Sequence, residues 1–82
     1  QLTEDRRKEL TKVVKEYGEK SKVTIRSIRR DFVDDAKKME KNAEISEDEL
    51  HVLLDDIQSL TDKLTKEIDN IVSDKETELM EI

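Results

Sequence analysis

"KNAEISEDEL", residues 41–50, is the stretch that decides the fold. Ser46 followed three residues later by Glu49 is a capping box. The hydroxyl accepts from the N–H of the third helical residue, and the carboxylate reaches back to the N–H of the cap. Ile45 just before the cap and Leu50 four residues after it form a hydrophobic staple. Four residues therefore agree on one helix start. The link before it, residues 41–44, is short, so a helix ending there must fold back antiparallel on the next.

Outward from this turn the apolar residues recur at helical spacing on both sides. Downstream, Leu50, Leu53/Leu54, Ile57, Leu60/Thr61, Leu64, Ile68, Ile71/Val72 and Leu79 predict a helix over about 46–80. Upstream, Leu10, Val14, Tyr17, Ile25, Ile28, Phe32, Ala36 and Met39 predict a helix over about 4–41, with the turn at 42–45. Thr3 suits its N-cap, and Glu4 and Asp5 suit the positive end of the helix dipole. Gly18 lies inside this pattern and costs the helix about 1 kcal/mol relative to alanine. Tyr17 lies on the stripe and is expected in the core. The fold class is all-α, an antiparallel two-helix hairpin with each helix roughly 50 Å long.

The stripe on the second helix is wider than one partner needs, because Leu53 and Leu60 extend it sideways. A third helix is expected to cover it, supplied by a further segment or by a second copy. The isolated hairpin is accordingly expected to self-associate through this stripe. The first residue is Gln1 rather than methionine, which suggests a piece of something longer.

Composition narrows the function. With 46% charged residues, 2% aromatics and no proline, a sandwich or barrel is excluded. No cysteine is present to form a disulfide or a thiolate metal site. No stretch is long and apolar enough to cross a bilayer as a helix, so no membrane partner is expected. His51 is the single histidine and reads as a solvent-facing polar residue. Adjacent carboxylates such as Asp34 and Asp35, or Asp55 and Asp56, point about 100° apart on a helix. They read as solvated faces rather than as a metal cage or a catalytic pair. No nucleophile with an adjacent base, calcium loop or phosphate loop occurs, so neither an enzyme nor a cofactor is expected.

The charge is divided unevenly. Residues 1–30 hold ten Lys/Arg against five Asp/Glu, a balance of +5, while residues 31–82 hold six against seventeen, a balance of -11. Lys8, Lys12, Lys15, Lys22, Arg26, Arg29 and Arg30 project within roughly 100° of arc, away from Leu10, Tyr17 and Ile28. A stripe of this kind can track a phosphate backbone, and arginine forks suit phosphate oxygens. Without aromatic platforms, structured RNA fits better than a single strand. The plainer alternative is a solvated face held by salt bridges from Glu19 to Lys22 and Arg26.

Several motifs in order resemble bacterial ribosome recycling factor: "LTEDRRKEL" (2–10), "VTIRSIRRD" (23–31), "ISEDEL" (45–50), "IQSLTDK" (57–63) and "DKETELMEI" (74–82). The resemblance spans the chain and matches the C-terminal part of that family. It implies that residues 1–82 are part of domain I, a three-helix bundle, and supply its second and third helices. The first helix and an inserted β/α/β domain lie outside this chain. It further implies a cytoplasmic translation factor that binds large-subunit rRNA of the post-termination ribosome and, with elongation factor G and GTP, splits the subunits for recycling. Arg26, Arg29 and Arg30 match the arginines of the family's V-R-N-I-R-R-D turn. Arg29, Arg26, Arg30 and Lys22 are the expected RNA-binding residues, Arg29 foremost. Ser27 departs from the usual Asn, Phe32 from Ala and Ser59 from Lys, and none of these removes an arginine. The competing reading is a structural coiled-coil or helical-bundle assembly module, which predicts no ribosome affinity.

Overall fold

A computed structural model describes residues 3–81. Leu2 and Ile82, which end two of the motifs above, lie outside that range. The described residues form two helices, α1 (Glu4–Lys41) and α2 (Glu47–Glu81), and include no strand. They pack antiparallel, with Gly18 against Val72 near the open end and Arg29 against Gln58 nearer the turn. The hairpin is a rod of 61 × 15 × 10 Å. Its radius of gyration is 18.5 Å, whereas a compact domain of this length has about 12 Å.

Each helix boundary has a physical cause. Thr3 has extended backbone, and its hydroxyl accepts from the Arg6 N–H at 3.1 Å. At the far end of α1 the chain closes a Schellman turn. The Glu44 N–H donates to the Met39 carbonyl at 2.8 Å and the Ala43 N–H to the Glu40 carbonyl at 2.9 Å. Ala43 sits there at φ 61°, the left-handed conformation that glycine adopts more cheaply. The capping box follows at once. The Ser46 Oγ accepts from the Glu49 N–H, and Glu49 Oε1 accepts from the Ser46 N–H, both at 3.1 Å.

The seam between the helices has a regular step. On α1 the less exposed positions run from Arg7 through Thr11, Val14 and Gly18 to Ala36 and Glu40, in steps of four, three and four. On α2 the same steps run from Leu50 through Leu54, Ile57 and Thr61 to Leu79. Leu10 and Leu53 are the only other less exposed residues in the two helices. An eleven-residue repeat gives about 3.67 residues per turn, close to an unstrained helix, so the rod needs little supercoiling.

This step places small and polar residues in the seam. Ala36 is the one apolar residue that is fully buried among those described. Thr61 is also buried, and its hydroxyl is satisfied by the Ile57 carbonyl at 2.8 Å. Tyr17, expected in the core, is 67% exposed. The seam is centred on Gly18, and one residue along a helix is about 100° around it. Tyr17 instead joins Ile28, Phe32, Leu60 and Ile71 on an open apolar face shared by both helices.

Candidate functional site

The seam divides the surface of α1 into two flanks. Projected at about 100° per residue, Leu10, Tyr17, Ile28 and Phe32 lie to one side of it. Lys8, Lys15, Arg26 and Arg30 lie to the other. The basic side therefore faces away from the open apolar face, and the two can be occupied independently.

The four candidate residues take different positions on this basic side. Arg26 and Arg30 are exposed, and neither forms a salt bridge among the described residues. Arg29 is half-buried at the seam. Its Nη1 donates to Gln58 Oε1 of α2 at 3.3 Å, and Gln58 Nε2 donates to Asp62 Oδ1 at 2.9 Å. Lys22 is also withdrawn, with its side chain 20% exposed. Its ammonium forms an ion pair with Asp69 across the seam and lies 3.6 Å from Glu19 on its own helix.

The electrostatics of Lys22 follow from that pairing. Its hydrogen bond to the Asp69 carboxylate raises its pKa above the ordinary 10.5. Partial burial opposes the shift, and the charges of Asp69 and Glu19 reinforce it. Lys22 thus stays charged while its charge is largely answered inside the protein. Arg26 and Arg30 present theirs to solvent.

Sequence reasoning missed three participants here: Gln58, Asp62 and Asp69. All three come from the polar side of α2, which the sequence marks only as acidic. Only the register between the helices could have pointed to them. The expected pair between Glu19 and Lys22 is present. Arg26 is not bridged to Glu19, since seven residues along a helix separate them by about 10 Å. Val33 is half-buried at the seam. Among the described residues no group of three or more His, Cys, Asp or Glu could hold a metal ion, and no helix is long and apolar enough to cross a membrane. His51 is exposed. The arrangement sets two exposed arginines, Arg26 and Arg30, beside the half-buried Arg29 on one flank of α1.

The family model described as ribosome recycling factor matches residues 1–80. The ribosome-recycling factor of Finegoldia magna is 99% identical over 82 residues, which is 100% of this chain and 44% of that protein. Those of Bacillus subtilis and Acetivibrio thermocellus are 56% and 57% identical over 81 residues, 99% of this chain and 44% of theirs. The chain therefore spans less than half the length of the curated relatives it matches.

Proposed function

The chain belongs to the ribosome recycling factor family, and from this we propose that it is the ribosome-binding part of a cytoplasmic translation factor. Its basic flank on α1 docks on large-subunit rRNA of the post-termination ribosome. The whole protein, acting with elongation factor G and GTP, promotes splitting of the ribosome into subunits for reuse. Its contribution is binding and positioning rather than bond chemistry.

The observation that carries this reading is the exposed pair Arg26 and Arg30 beside Arg29, on the side of α1 away from the apolar face. Arg26, Arg29 and Arg30 meet phosphate oxygens as planar forks. Lys22 adds positive potential, but Asp69 and Glu19 hold its ammonium, so its truncation weakens binding least of the four. In the whole protein a further helix of domain I covers the open apolar face. In the isolated 82-residue chain a second copy takes that place.

Co-sedimentation with large ribosomal subunits at several salt concentrations tests the reading. Arg26→Ala and Arg30→Ala, placed in the full-length Finegoldia magna factor, should each weaken binding. Each should also flatten the plot of log affinity against log salt by about 1. Binding that is equally tight with Arg26, Arg29 and Arg30 all replaced by alanine defeats it.

A further inference from the structure

We propose that Gln58 and Asp62 of α2 form a positioning relay that holds the Arg29 guanidinium ready for a phosphate. The inference rests on the RNA-binding reading above and adds two residues to it.

The argument starts from what each group can do. A guanidinium only donates hydrogen bonds, an ionised carboxylate only accepts them, and a side-chain amide has one end of each kind. Gln58 lies between Arg29 and Asp62, at 3.3 Å from one and 2.9 Å from the other. Only one orientation of its amide satisfies both neighbours. Turning it over would set NH2 against guanidinium and carbonyl against carboxylate. Asp62 therefore fixes Gln58, and Gln58 fixes Arg29.

The consequence for Arg29 is a side chain tied down at one corner. Among the described residues its guanidinium has one hydrogen bond, through Nη1, which leaves the edge formed by Nε and Nη2. That edge carries two parallel donors, the geometry that meets two oxygens of one phosphate. Arg26 and Arg30 are exposed and must lose rotamer freedom when they bind. Arg29 is half-buried and hydrogen-bonded across the seam, so it has already lost much of that freedom on folding. Pre-ordering of this kind raises affinity without adding a contact.

A relay residue leaves a different signature from a phosphate contact. Gln58→Met keeps the bulk and removes both polar ends without changing charge. In the full-length Finegoldia magna factor with large ribosomal subunits, it should weaken binding about threefold to tenfold. The salt slope should stay as it was, since no charge is lost. Arg29→Ala should weaken binding and flatten the slope by about 1. The double variant should bind no more weakly than Arg29→Ala alone, because the relay acts only through that arginine. Circular dichroism melts of Gln58→Met should match the parent, as Gln58 is exposed.

Three outcomes overturn the proposal. If Arg29→Ala weakens binding and Gln58→Met does not, the relay is wrong while the RNA reading stands. If Gln58→Met costs as much without Arg29 as with it, Gln58 touches RNA directly and positions nothing. If Arg29→Ala has no effect, the contact assigned to Arg29 fails first and the relay with it.

Discussion

Gly18 shows how far a single position can be read from sequence. In a helix it looks like a defect worth about 1 kcal/mol. The structure supplies its reason, because a Cβ there would lie 2.6 Å from Val72 Cγ2. Val72 is β-branched and stiff, so it cannot swing aside cheaply. Gly18→Ala gains helix propensity of about 1 kcal/mol but overpacks the seam by about 1–3 kcal/mol, so a net loss is expected. Urea denaturation at fixed chain concentration measures it. Adding Val72→Ala should remove the clash and leave the propensity gain. An equal loss with and without Val72 would show that the close approach is not the cause. Ala43 is the complementary case. Nothing marks alanine as a left-handed residue, so its φ of 61° was hidden in "KNAE".

The elements were more legible than their contacts. Capping residues act within one turn, so Thr3, Ser46 and Glu49 could be found from short-range spacing alone. Periodicity also revealed which residues of α1 are basic and which apolar. It could not rank Tyr17 against Gly18, because both fall within a broad stripe until the partner helix selects the centre. The Lys22–Asp69 pair was invisible for the same reason, being set by register between helices. This pair carries a pH dependence whose sign is fixed. Lys22 has its pKa raised above 10.5 by folding, so its stabilisation is fully present below that pH. It is lost as pH rises through the folded-state value. The stability gap between the parent chain and Asp69→Asn should therefore be constant from pH 7 to 9 and close above about pH 10.5. Thermal melts across that range measure it; a gap that persists at the highest pH would show that Asp69 acts through something other than the Lys22 charge.

At the scale of the whole molecule, the surface area tells what the helices alone do not. A folded monomer of this mass exposes about 5,100 Å². The hairpin exposes 6596 Å². The excess, about 1,500 Å², is roughly twice the 800 Å² or so that one partner buries in a standard protein–protein interface. Analytical ultracentrifugation of the isolated 82-residue chain should show a concentration-dependent dimer. Replacing Ile28 and Leu60 by Lys, on the open face and away from the basic flank, should return it to monomer. A chain that stays monomeric and fully helical at high concentration contradicts the pairing. The over-wide stripe was readable in the sequence because a helix shows its own apolar width. What covers it was not, since a helix's own periodicity does not show what packs on it from outside the hairpin.

The charge division between the helices has a mechanical consequence. Counting Lys and Arg against Asp and Glu, α1 carries +4 and α2 carries -9. The helices lie side by side along the rod, so the molecule has an electric moment across its width as well as any along its length. Near a polyanion, within the screening distance of about 8–10 Å, that moment exerts a torque about the long axis. The rod rolls until α1 faces the negative surface and α2 faces away. Polarity across the width thus sets the roll angle of approach, leaving the arginines to settle position along the axis.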